Sequence, residues 1–174
     1  MRRAFFALAA LASGFAIAHI ATVQAIPGVI MTVATKKIAE QGDLDVNTFR
    51  LSQRVTPQSQ AVVRPSPDLA YSLCLYDLSE GPINLTVAPW PAYSSVSFYD
   101  AQTNNFATVR AENGADILLT SKSSELSAGR AQERHVSPTR TGVILIRRLA
   151  PTEGDYDGVA SVAADDRCAG AEPN

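Results

Sequence analysis

From Ala4 to Thr35 the chain carries no charged side chain, and only His19 and Gln24 break the apolar pattern strongly. Arg2 and Arg3 stand just before this run. About 20 apolar residues cross about 30 Å of hydrocarbon, and Ala4 to Val23 supplies them. A cleavable signal peptide is the competing reading, with Ala16-Ile17-Ala18 or Val23-Gln24-Ala25 as its exit site. A signal core spans roughly 7–15 residues, so the length favours an uncleaved transmembrane anchor over residues 1–26. The paired arginines then predict a single-pass inner-membrane protein with its C-terminal domain in the periplasm; Lys36 and Lys37 pull weakly the other way. No cysteine follows the leader closely, which excludes lipoprotein processing. Pro27 and Gly28 interrupt the run. Val29 to Gln41 reads as a separate short helix with Gly42 as its stop, a juxtamembrane element over 27–42.

Beyond a polar, irregular stretch the pattern changes to short strands. Ile83 to Val87 alternates with period two, as a half-buried strand does. Leu69 to Leu78, Tyr93 to Tyr99, Phe106 to Ala111 and Asp116 to Thr120 are further strands, separated by turn residues such as Ser79-Glu80-Gly81-Pro82 and Asn113-Gly114. Gly142 to Ile146 is continuously apolar, which suggests a strand buried on both faces. Asp155 to Arg167 has a helical period through Tyr156, Val159 and Val162. Six to eight short strands at this spacing predict an all-β domain over residues 43–174, an antiparallel sandwich with a short C-terminal helix.

Composition narrows the chemistry. The 174 residues are 46% hydrophobic, which suffices for a core, and the net charge is −2 with no basic run, which argues against nucleic acid as a partner. Beyond the leader His135 is the only histidine, so no His-rich metal site can be built, and neither a nucleophile elbow nor a dinucleotide or phosphate loop is present. No cofactor is implied. In an exported chain, Cys74 and Cys168 suggest one disulfide that would pin the C-terminal helix to the Cys74 strand. Candidate binding residues are Arg64, Asp68 and Tyr71 around the proline-stiffened Arg64-Pro65-Ser66-Pro67-Asp68 segment, Asn104 and Asn105 in a polar turn, and Arg140. Each also has a plain reading as a turn or ion-pair residue. The leading function is a non-catalytic binding or assembly module near the membrane. The rival is an envelope hydrolase or carbohydrate-active enzyme using Asp68, Asp77 or Glu80, since glycoside hydrolysis needs two carboxyls about 5–10 Å apart.

The order of Val62-Val63-Arg64-Pro65-Ser66-Pro67-Asp68, Tyr71-Ser72, Asp77-Leu78-Ser79-Glu80-Gly81-Pro82, Thr103-Asn104-Asn105-Phe106 and Ser137-Pro138-Thr139-Arg140 resembles the bacterial family called domain of unknown function 1254. The resemblance runs from about Thr56 to Arg148, with Ser66 where the family's segment has asparagine. It implies an immunoglobulin-like β-sandwich, and short members of this kind with an apolar N-terminus much like Ala18 to Val23 support the anchor. In longer members a second domain of unknown function, 1214, commonly follows. The resemblance therefore implies a separate envelope protein carrying the 1214-type domain as a possible partner. It implies no catalytic residue.

Overall fold

The computed structural model describes residues 2–42, 44–56, 65–122 and 133–171. Helix α1 (Arg2–Gly42) passes through Pro27 without a break. Proline removes one backbone donor from a helix, a loss that long apolar helices tolerate when local groups re-satisfy the backbone. Threonine hydroxyls add further bonds to the backbone nearby: Thr22 donates to the Ala18 carbonyl and Thr32 to the Gly28 carbonyl, each at 2.8 Å. The helix expected to begin after Pro27 is thus the continuation of the same rod.

Two sheets form the body. The first has the order β1 (Arg50–Leu51), β2 (Leu69–Asp77), β8 (Thr141–Leu149), β4 (Ser94–Asp100) and β5 (Asn105–Arg110), all antiparallel. The second has the order β7 (Glu133–Ser137), β6 (Ala115–Ser121), β3 (Ile83–Val87) and β9 (Arg167–Gly170). Its β6–β7 pair is parallel, so this sheet is mixed where an antiparallel one was expected. Period-two burial builds the core between them. In β3, Ile83, Leu85 and Val87 point in while Asn84 and Thr86 do not. Opposite them lie Cys74, Val96, Phe98, Ile144 and Ile146 of the first sheet, with Ile117 and Leu119 completing the second. Tyr76 enters this core because Gly142, its register partner, has no side chain. A Cβ there would lie 2.5 Å from the Tyr76 hydroxyl and closer still to the Tyr99 carbonyl. The Tyr76 hydroxyl meets Ser137 Oγ at 2.8 Å, and burial pushes its pKa up.

Helix α2 (Glu153–Ala163) starts with a capping box. The Asp155 amide donates to the Thr152 hydroxyl, and the Thr152 amide donates back to the Asp155 carboxylate. Val159 packs this helix onto Ala70 and Ala150. The helix ends earlier than its sequence period suggests, because Arg167 to Gly170 pairs with β3 as a strand. Cys74 and Cys168 are bonded. The disulfide consequently joins β2 to β9, one sheet to the other, instead of fixing a helix to a strand.

The two halves of α1 differ in their surroundings. Residues 2–26 are exposed throughout. They belong to a helix long and apolar enough to cross a membrane. In the second half Met31 joins Leu44, Leu75 and Val143 in an apolar cluster, flanked by Ile38, Ala39, Leu73 and Tyr99. Leu75, Val143 and Tyr99 are register neighbours on β2, β8 and β4. The helix therefore lies across the strands on the outer face of the first sheet. Gly28 closes this contact against the β4–β5 turn, where a Cβ would sit 3.0 Å from the Gln102 amide nitrogen.

Candidate functional site

Arg147 and Arg148 are adjacent on β8, and strand geometry sends them to opposite faces. Arg148 shares parity with Ile144 and Ile146 and points inward, where it is 1% exposed. Such a charge needs a partner with good geometry. Asp166 provides a bidentate one: the two terminal nitrogens of Arg148 donate to Asp166 Oδ2 at 2.8 Å and to Oδ1 at 2.7 Å. Arg148 also donates to the Ala88 carbonyl at 3.0 Å, while the Ala88 amide donates to Asp166 Oδ1 at 3.0 Å. This closed set links β8 to the β3–β4 connection and to the segment between α2 and β9. Its role is architectural. Sequence reasoning passed over both residues, although the parity of Arg148 with two core isoleucines was a readable signal.

Arg147 stands on the outer face beyond the α1 contact, half-buried. Register places Tyr71 and Ser95 on either side of it, with Arg110 next across β5. Its guanidinium donates to the Tyr99 hydroxyl at 3.0 Å and to Ser97 Oγ at 3.3 Å. Burial raises the pKa of Tyr99, but hydrogen bonds from Asn105 and Arg147, with the charge of Arg147, outweigh it and lower it overall. Arg110 is committed elsewhere. It pairs with Glu112 at 2.5 Å and lies over the Tyr93 ring, 5.2 Å from its centroid. The outcome is a polar, aromatic face of hydroxyls around one half-buried cation.

Of the residues singled out from sequence, only Tyr71 and Asn105 reach this face among the described residues. Arg64 lies outside the described residues. Tyr71 falls within the Arg147 row, and its hydroxyl also accepts from the Ser66 amide at 2.8 Å, which fixes the proline-flanked turn. Asn105 touches the same face through Tyr99 and accepts from Thr108 at 3.2 Å. Asn104 serves the β4–β5 turn: its amide and side chain both donate to the Asp100 carboxylate, at 2.9 and 3.0 Å. Arg140 is exposed at that same end, on an open groove of about 380 Å³ shared with Lys122, Ser79 and Ser137. Asp68 lies at the other end.

Of the carboxylates proposed for hydrolysis, Asp68 stands apart from Asp77 and Glu80, which share the β2–β3 turn. Asp68 and Asp77 stand at opposite ends of β2, nine residue steps apart, a length of about 30 Å. Asp77 Oδ1 accepts from both the amide and the hydroxyl of Ser79 within the β2–β3 turn, so this carboxylate holds a turn. Neither Asp77 nor Glu80 can act as the second carboxyl for Asp68. His135 is half-buried, 5.3 Å from the Phe98 ring centroid and 3.1 Å from the Glu133 carboxylate. Among the described residues no group of three or more His, Cys, Asp or Glu is placed to hold a metal.

Fold and site together define a class: a two-sheet sandwich stapled by one disulfide, carried on a long apolar N-terminal helix. The profile of the family described as a protein of unknown function (DUF1254) matches residues 46–170, and the chain belongs to that family. No curated protein matches it. Among solved structures it is similar to the VPA0106 protein from Vibrio parahaemolyticus, with a TM-score of 0.62 and 11% identity over 87% of this chain. It spans 39% of the length of that protein. A protein from Burkholderia cenocepacia matches with a TM-score of 0.45 and 13% identity over 62% of this chain and 32% of its own.

Proposed function

We propose that this chain is a membrane-tethered binding or assembly module. Residues 1–26 form the anchor, and an immunoglobulin-like sandwich stands on the periplasmic side. One observation carries the reading. The same helix is unburied over residues 2–26 and then packs through Met31 and Ile38 onto the sheet. An apolar rod left bare on every side needs a lipid or protein environment, and the packed half gives the domain a fixed seat on it. The distance of Asp68 from Asp77, and the engagement of Asp77 with Ser79 in a turn, support binding over hydrolysis. By family resemblance the partner is a separate envelope protein with a 1214-type domain.

Fractionation of cells expressing the chain at native level tests the tether. The expected result is an integral-membrane product whose sandwich is digested by protease only after the outer membrane is opened. A soluble periplasmic product beginning near Ile26 would overturn it. Co-purification from the same membranes tests the partner, and recovery of the chain alone after chemical cross-linking would count against an assembly role.

A further inference from the structure

Arg147 presents a problem of charge balance. A half-buried guanidinium ordinarily finds a carboxylate, because desolvating a lone charge is costly. Here both of its acceptors among the described residues, Tyr99 Oη and Ser97 Oγ, are neutral. The described carboxylates with hydrogen-bonding roles are engaged elsewhere: Asp77 with Ser79, Asp100 with Asn104, Glu112 with Arg110, Glu133 with His135, Asp155 with Thr152 and Asp166 with Arg148. Arginine carries five N–H donors, and these two bonds leave the fork unfilled among the described residues. The positive field is felt locally, since it helps to lower the pKa of Tyr99.

We propose that the outer face of the first sheet is a carboxylate-binding site, with Arg147 as the anchor and Tyr71 and Tyr99 as its walls. Planar bidentate pairing with a carboxylate is what a guanidinium does best. Charge matching selects the class. In the row of Tyr71, Arg147, Ser95 and Arg110, Arg110 is neutralised by Glu112, so this row offers one net positive charge, which suits a monoanion. A phosphate near pH 7 carries about 1.5 to 2 negative charges and would ask for a second cation. The strands fix the floor: Ser95 and Ser97 are each 1% exposed beneath the side chains, so the site is preorganised on sheet and not on a loop. This inference does not depend on the membrane tether. The carboxylate has two sources, a free organic acid or an acidic side chain of a polypeptide.

The test is a titration of the full-length, isotope-labelled chain in detergent micelles, following the Arg147 Nε–H and Tyr99 ring resonances. The probes are acetate, a blocked tripeptide with one central glutamate, and inorganic phosphate, against chloride at equal ionic strength. The expected result is a saturable shift with the glutamate peptide or acetate, weaker binding of phosphate, and loss of the shift in Arg147→Gln. Response to the peptide alone assigns a polypeptide source, and equal response to both assigns a free acid. Arg147→Lys guards against misfolding: it keeps the charge but loses the fork, and should weaken binding about tenfold. Arg167→Gln, exposed on β9 of the other sheet, should change nothing. Phosphate binding tighter than acetate, no saturable shift with any probe, or equal weakening in Arg167→Gln would overturn the proposal.

Discussion

Two neighbouring arginines on one strand illustrate how far a single residue's position decides its role. Arg148, turned inward, has both terminal nitrogens engaged by Asp166 and the Ala88 carbonyl. Removing one member of a buried ion pair strands the other in a low-dielectric interior and typically costs about 3–5 kcal/mol, whereas removing both can be far milder. Asp166→Ala is accordingly expected to destabilise the chain by about 3–5 kcal/mol in urea denaturation, and Arg148→Met added to it should restore part of that loss. If the double variant is as unstable as the sum of the singles, the two side chains are not a coupled pair. Arg147, one residue earlier, faces outward and meets no carboxylate among the described residues. This distinction was legible in principle from parity alone. It was missed because two consecutive arginines at a strand's end resemble a solvated terminus, and because the partner of Arg148 lies in a segment that reads as helix.

At the level of elements, strong periodicity was readable and short edge pieces were not. The strands now seen as β2, β3, β4, β5, β6 and β8 were each visible as apolar alternation or an apolar run bounded by turns. β1 has two residues, β7 is largely polar as an edge strand, and β9 was absorbed into the helical period ahead of it. None of these three carries a pattern of its own; tertiary pairing makes each a strand. Helix α2 depends on its cap. Hydrogen bonds from Thr152 lower the pKa of the Asp155 carboxyl. A depressed carboxyl contributes stability that is present above its unfolded value, about 3.9, and is lost as pH falls through the lower folded value. Amide exchange in residues 153–156 should therefore speed up below about pH 4, and Asp155→Asn should remove that pH dependence; an unchanged profile in the variant would refute the capping role. The seat of α1 is a second element-level test. Met31→Ser should cost about 2 kcal/mol and raise exchange in residues 29–40 while leaving β2 and β8 protected. Loss of protection throughout would mean that helix and sheet form one cooperative unit.

For the molecule as a whole, the layers were legible in the sequence and their connection was not. A disulfide between Cys74 and Cys168 follows from export and an even cysteine count, but only the fold shows that it crosses between sheets, with Cys74 on β2 and Cys168 on β9. The bond spans 94 residues, and the chain-entropy relation gives about 4–5 kcal/mol for a loop of that size. Reduction in mild denaturant, or Cys74→Ala with Cys168→Ala, should lower the unfolding free energy by about that much, read as a shift in urea midpoint. A shift under about 1 kcal/mol would show that the buried contacts between sheets already hold the layers together. The candidate site was the least legible part, because it is assembled from one residue on each of several strands: Tyr71 on β2, Arg147 on β8, Tyr99 on β4 and Asn105 on β5. No contiguous motif records such a row.

The crossing of α1 over the first sheet has a further mechanical meaning. A flexible linker of 16 residues would let a domain wander about 20–25 Å from its attachment, sampling every orientation. The segment from Pro27 to Gly42 is instead helical and is clamped by Met31 and by the Gly28–Gln102 contact. Whatever holds the apolar half, the sandwich turns with it as a signpost turns with its post. The row of Tyr71, Arg147 and Ser95 thus keeps a constant bearing relative to the helix axis, and a ligand of that face meets it from one direction only.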